Sequence, residues 1–183
     1  MNYAVEIAYL PEKEFLVLKG YVKLYDSDSA GENEDFLRKS LSDGSVERLK
    51  MAARSETVFI LFCNTCVRDE NEKCYVCGCD IACENLSGSQ GCNEFEIVKL
   101  NSCEYIVYDC EFINETTLQN AHEKPDNLFW NGWLTENPYL CAIDNQNCKG
   151  NGFAAIELYT PLDPDAIDFH AKFFYPILRK STT

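Results

Sequence analysis

The chain has 183 residues, 46% of them hydrophobic and 13% aromatic, with 16 basic against 30 acidic side chains and a formal charge of −14. That length suits one domain, or two small modules sharing a core. The negative field repels phosphate backbones and anionic membranes, so neither direct nucleic-acid binding nor membrane attachment is expected. No apolar run approaches the ~18 residues needed to span a bilayer. The opening MNYAVEIAYLPEKEF lacks the basic and apolar regions of a cleavable leader. Eleven cysteines without such a leader point to reduced thiols and a cytoplasmic location.

In chain order, strand-like runs at YAVEIAYL (3–10) and EFLVLKGYVKLY (14–25) precede a helical region, NEDFLRKSLSDGSVERLKMAAR (33–54). Phe36, Leu37 and Leu41 fall at helical spacing there, and Ser45 after Gly44 caps a second segment. TVFILFCNT (57–65) and KCYVCGCDIA (73–82) read as two further strands joined by the polar turn RDENE. Next come strands FEIVKL (95–100) and EYIVYDCEF (104–112), a helix over DNLFWNGWL (126–134) and a loop rich in Asn, Gly and Cys. Strands FAAIELYT (153–160) and FHAKFFYPI (169–177) close the chain.

The order repeats because the sequence does. EIAYLPEKEFLV (6–17) and EIVKLNSCEYIV (96–107) align without a gap at a spacing of 90 residues, about half the chain. The expected fold is α+β: one domain over residues 1–183, with repeats at 1–90 and 91–183. Each repeat is a strand–helix–strand–strand module. A pseudo-two-fold pairs them into antiparallel sheets, with helices on one face and a ligand groove on the other.

CNTCVRDENEKCYVCGC (63–79) holds two C-x-x-C pairs. A tetrahedral zinc site at Cys63, Cys66, Cys74 and Cys77 is one reading of that spacing. A cysteine-rich hairpin is the preferred one, because in a regular strand residues three apart point to opposite faces. Cys77, Cys79, Ile81 and Cys83 then share one face, where thiols act as small hydrophobes. No metal and no cofactor is expected. Neither pair opens a helix whose N-terminus would activate a redox thiol.

Glu157 stands out on FAAIELYT. Aligning this run with TVFILFCN sets Leu61 opposite Glu157, so a carboxylate replaces an apolar residue in mid-strand. Such a group is costly to bury unless paired, hydrogen-bonded or used. Alternation puts Phe153, Ala155, Glu157 and Tyr159 on one face and Ala154, Ile156 and Leu158 on the other. The fully apolar set is expected against the helix, and Glu157 in the groove; the alternative is a solvated glutamate on an open face. Tyr105 and Tyr175 sit on strands expected to flank Glu157, with Tyr159 and Phe173 completing an aromatic box, or they are core. Trp133, at i,i+3 from Trp130, reaches the groove mouth or packs inward. An acid ringed by aromatic faces suits a delocalised cation. His122 and His170 read as surface residues without partners. Asp163, Asp165 and Asp168 read as an acidic turn, not a calcium loop. There is no phosphate-binding glycine loop and no nucleophile elbow.

Taken in order, EIVKLNSCEYIVYDCEF leading into a helix ending FWNGWLTENPY, then AAIELYTPLD and FHAKFFYPI, resemble the GyrI-like family. This is the effector-binding domain also found at the C-terminus of many bacterial drug-responsive transcription regulators. The resemblance implies a small molecule, often cationic and aromatic, held between the halves, with the acidic residue of AIELY (by position Glu157) at the centre. It implies a stand-alone sensing or multidrug-binding module without DNA-binding helices. Some stand-alone members are hydrolases of strained-ring toxins, which would make Glu157 a general base or electrostatic stabiliser with Tyr105 or Tyr175 as proton donor. Gyrase-inhibiting members suggest a third role, an acidic surface engaging a protein partner. The binding module is the leading expectation. YDCEF lacks the glycine that family members often carry after this strand.

Overall fold

The computed structural model describes residues 1–24, 29–63, 67–69, 74–114, 116–138, 140–142 and 152–179. The first half of the chain runs β1 (Asn2–Leu10), β2 (Lys13–Leu18), β3 (Tyr21–Leu24), α1 (Ser29–Ser42), α2 (Ser45–Ala53), β4 (Val58–Cys63), β5 (Val67–Asp69), β6 (Cys74–Gly78) and β7 (Asp80–Glu84). The second runs β8 (Glu96–Leu100), β9 (Cys103–Ile113), a 3-10 turn (Leu118–Asn120), α3 (Glu123–Asn127), a π-helical turn (Leu128–Trp133), α4 (Leu134–Glu136), β10 (Leu140–Ala142), β11 (Ala154–Thr160) and β12 (Asp168–Arg179).

The main sheet has the strand order β1-β9-β12-β11-β4-β7-β2-β8, all antiparallel, with β10 paired to β12. Read from the other end, the order exchanges β1 with β8, β9 with β2, β12 with β7 and β11 with β4. A pseudo-two-fold therefore passes between β4 and β11, and the architecture is the expected duplicated α+β module with helices on one face. The repeated segments are the β1–β2 and β8–β9 corners. In each, the first strand pairs with the second strand of the other copy: Leu10 with Cys103, and Leu100 with Lys13.

That exchange bends the sheet. Residues 11–12 and 101–102 each join strands six places apart in the order. A flat sheet would separate those strands by nearly 30 Å at ~4.8 Å per strand. A two-residue linker spans at most ~11 Å, so the sheet curls until the linked strand ends approach, while remaining open. The inner face is filled by strand residues alone, among them Phe15, Val17, Leu61, Ala82, Tyr105, Val107 and Ile156. The outer face carries Leu16, Ile60, Ile81, Ile106, Tyr108, Phe173 and Tyr175, against Leu37, Val46, Leu49 and Phe129 from the helical segments.

Local chemistry sets the breaks. The first helical region divides at Gly44, whose φ of 75° suits glycine. Gly44 is the cap position and has no side chain to cap with; the Oδ1 of Asp43 before it accepts from the Ser45 N–H at 2.9 Å and from the Ser45 hydroxyl at 2.5 Å. The helix expected over 126–134 extends over 123–136 through the π turn.

The run 14–25, expected as one strand, breaks at Lys19-Gly20, and the run 73–82 breaks at Cys79. Beyond those breaks β3 and β6 leave the main sheet and, with β5, form a small sheet ordered β3-β6-β5. The branch is pinned by Cys79 N–H donating to the Gly20 carbonyl at 3.0 Å. Buried Asp80 accepts from the Gly20 N–H at 3.3 Å and pairs with Lys19 at 3.0 Å.

Cys63 lies on β4, and Cys74 and Cys77 on β6; Cys66 and the side chains of those three fall outside the described residues. Cys79 and Cys83 are buried beside Ile81 on the helix-facing side, as small hydrophobes. Burial pushes the Cys83 and Cys110 thiols up to about 12. Among the described residues no group of three or more His, Cys, Asp or Glu side chains is placed to hold a metal, and no helix is long and apolar enough to cross a membrane.

Candidate functional site

A cavity of about 40 Å³ opens where the two halves meet. Its floor is Ile60 and Phe62 of β4, Ile81 of β7 with the preceding Cys79, and Glu157 and Tyr159 of β11. Glu34, Phe36 and Leu37 of α1 form one wall, and Leu118 and His122 from the start of the second helical segment form the other. The groove expected on the face away from the helices is therefore found on the helix-covered face. The curl fills the inner face with side chains, whereas the two helical segments leave a gap along the pseudo-two-fold.

Glu157 stands on that line. It pairs in register with Ile60, and both side chains face the cavity. Leu61, set opposite Glu157 by the gapless alignment, instead pairs with Ile156 on the inner face. The alignment is one residue out of step, which in a strand reverses the face. Alternation along β11 holds, but the expected sides are reversed: Ala154 and Ile156 pack on the inner face, and Glu157 and Tyr159 lie beneath the helices.

The Tyr159 hydroxyl donates to Glu157 Oε2 at 2.7 Å. Burial pushes the Glu157 carboxyl up to about 7, against the pull of His122 and of the Tyr159 hydrogen bond, while Asp126 adds a smaller push upward. Asp126 on α3 accepts from the Tyr175 hydroxyl. Its carboxyl too is raised by burial, opposed by that bond and by His122. Both phenols are raised by burial and by the carboxylates beside them, so they act as neutral donors.

A carboxyl raised on folding holds its proton longer in the native than in the unfolded chain. Between the ordinary value of 4.5 and about 7, Glu157 therefore lowers stability as pH rises, and the loss is complete above pH 7. Glu157→Gln removes that loss. Urea titrations are expected to show the variant gaining roughly 1–3 kcal/mol on the wild type between pH 5 and pH 8, and a pH-independent difference would contradict this assignment.

Of the residues picked out by sequence, Glu157 and Tyr159 line the cavity. Phe173 lies alongside, its ring edge-on to Tyr159 at 5.9 Å. Tyr175 is a further step away, stacked on Phe129 at 4.4 Å and occupied with Asp126. Trp133 stacks on Phe129 at 6.4 Å and is half-buried against the core. Tyr105 is not at the site: its place on β9 turns it to the inner face, against Phe174 at 6.3 Å.

His122 and Asp126 were missed. They sit one helical turn apart, the Asp126 N–H donating to the His122 carbonyl at 2.9 Å. Their i,i+4 spacing is the signal that would have found them, but the expected helix began only at Asp126. His170, expected to lack a partner, pairs with Asp109, which also binds Lys172 at 2.8 Å. The acidic turn is structural. Asp165 takes the Arg38 guanidinium through two bonds of 2.8 and 2.6 Å, Asp163 accepts from the Asp165 N–H, and Asp168 accepts from the Asn114 N–H.

No family model matches the sequence, and no curated protein does. Solved structures match it in fold. A putative bacterial transcription regulation protein from Staphylococcus aureus MU50 is 13% identical with a TM-score of 0.59, over 97% of this chain and 99% of that one. SAV2435 bound to tetraphenylphosphonium is 12% identical at a TM-score of 0.60, over 97% and 94%. The C-terminal domain of EcmrR is 12% identical at 0.54, over 98% and 99%. The alignments run nearly end to end, and the likeness is one of architecture: the chain has the GyrI-like fold.

Proposed function

We propose that this chain is a small-molecule-binding module that takes a cationic, aromatic ligand at Glu157, between the two halves. One observation carries the reading. A carboxylate lies on a central strand, on the pseudo-two-fold, with an aromatic hydroxyl as its hydrogen-bond donor, and no lysine or arginine among the described residues pairs with it. Desolvating an acid in this way is costly, and a ligand's positive charge offsets the cost in a place where Coulombic attraction is stronger than in water. The tetraphenylphosphonium on SAV2435, which shares the fold, supports the ligand class.

About 40 Å³ holds a few water molecules at most. A multi-ring cation therefore enters with outward movement of one wall. The hydrolase reading has less support, since Tyr105 lies on the inner face and Tyr175 donates to Asp126.

Glu157→Gln keeps the shape and removes the charge. Its affinity for tetraphenylphosphonium or a rhodamine-type dye is expected to fall at least about tenfold, ~1.4 kcal/mol, with an unchanged circular dichroism spectrum. Equal affinity in wild type and variant rejects the proposal. Binding that survives the substitution but weakens steeply with salt would instead favour the acidic protein-interaction surface.

A further inference from the structure

The two ends of the main sheet are built differently, although the repeat relates them. β8 is a short edge of five residues. Its Lys99 pairs with Glu12 at 2.8 Å. Residues 92–95 ahead of it turn back on themselves, the Cys92 N–H donating to the Phe95 carbonyl at 2.9 Å. Shortening and charge are common means of keeping an edge from pairing with another chain. β1 has neither. It runs on through the positions that turn in the other copy, giving nine residues, NYAVEIAYL, with Glu6 as the one charged side chain. Tyr3, Val5 and Ile7 stand in register with Cys110, Tyr108 and Ile106 of β9, and the Tyr3 ring lies 6.1 Å from that of Tyr108. These side chains therefore project on the helix-bearing face, yet with Tyr9 they are 46–65% exposed. Single exposed hydrophobes are ordinary, whereas a contiguous stripe of large ones marks an interaction surface.

We infer that β1 is a dimerisation edge, taking β1 of a second copy antiparallel across a two-fold axis at Glu6, so that two main sheets become one. An unpaired strand edge offers alternating N–H and carbonyl groups, which an extended segment satisfies and a helix does not. Among extended segments, β1 complements itself. About that axis Tyr3 meets Tyr9 of the second copy, Val5 meets Ile7, Ala4 meets Ala8 and Asn2 meets Leu10. All nine residues pair, and the stripe stays on one face. Aromatic and β-branched pairs are among the cross-strand combinations that stabilise antiparallel sheets. Charge points the same way. Of the β9 carboxylates, Glu104 is engaged by Arg179 at 3.0 Å and Asp109 by Lys172 at 2.8 Å, while Glu111 lies at the far end opposite Asn2. The margin thus carries little of the chain's charge of −14, and apolar surface selects the partner. Two such strands with their stripes bury on the order of 1,200 Å² in total, the low end of specific interfaces, so the dimer is a reversible one. Glu6 opposes it by meeting its own twin on the axis, and this makes the register testable.

Sedimentation velocity over a concentration series is expected to show a monomer–dimer equilibrium with a dissociation constant on the order of tens of micromolar. Val5→Lys is expected to weaken it at least about tenfold. Met51→Lys, which also sets a lysine in place of an exposed apolar residue but on α2, is expected to leave it unchanged. Circular dichroism of both variants certifies the fold. Glu6→Gln is expected to tighten the dimer about threefold by removing the facing carboxylates. Glu6→Lys alone restores a facing pair of like charge. Mixed with wild type, it is expected to form a heterodimer about fivefold tighter than either homodimer. A monomer at every concentration up to about 1 mM overturns the inference and leaves the edge to an extended segment of a different protein. A dimer indifferent to Val5→Lys overturns it too, because the contact then lies elsewhere. So does a Glu6→Lys mixture no tighter than its components, because the strands are then not paired about Glu6.

Discussion

Gly20→Ala is expected to destabilise the protein by about 3 kcal/mol or more, at the upper end of overpacking. A Cβ built on Gly20 would lie 2.3 Å from the Cys79 carbonyl oxygen and 2.5 Å from the Phe36 ring. The oxygen cannot withdraw, because the Cys79 N–H and the Asp80 carboxylate next to it are both bonded to Gly20 or Lys19. The Phe36 ring has the cavity beside it and can yield, so the clash with the backbone oxygen decides the cost. A loss of that size corresponds to a fall in Tm of roughly 6–12 °C for a chain of this length, measured by a thermal melt. Gly132→Ala provides the control. Nothing lies within 4 Å of its added methyl, and alanine is the better helix former, so its melt should be unchanged or slightly raised. Equal melts for the two variants would refute the steric account.

Phe129→Ala is expected to cost about 3–5 kcal/mol, as deleting a buried aromatic ring does. Phe129 is 1% exposed. Its ring lies flat on Tyr175 on one side and parallel to Trp133 on another, with Trp130 edge-on at 5.0 Å. It is therefore the anchor by which the second helical segment is held to the sheet, and with it the wall that carries His122. The neighbouring Trp130 is 47% exposed, and Trp130→Ala is expected to change stability by no more than about 0.5 kcal/mol. Urea unfolding of the two variants separates an anchor from a bystander. Comparable losses would mean that the stack is not what holds the segment.

The duplicated architecture was legible because residues 6–17 and 96–107 retain their pattern, and alternation in strands such as β9 and β12 survives burial on both faces. Glu157 was legible as a carboxylate among apolar neighbours. Its face was not, because strand parity cannot say which side helices will cover when both sides are apolar. Tyr105 was misplaced for the same reason: beside Val107 it looks as suited to a groove as to a core. The breaks at Gly20 and Cys79 were hidden inside strand-like runs, since the pull toward a second sheet comes from Asp80 across the fold and not from local propensity. His122 was lost through a boundary. The helix signal rested on Phe129, Trp130 and Trp133, and the preceding turn, with its Pro125, carried none.

The exchange of outer strands between the copies bears on how such a chain arose. A single ancestral copy could not have completed its own sheet, since its first strand belongs beside the second strand of a twin. It would have existed as a pair of molecules trading arms, held together only as far as their concentration allowed. Fusion turned that trade into an internal one. With both copies on one chain, the two central strands need not match, and Glu157 on β11 stands in register with Ile60 on β4.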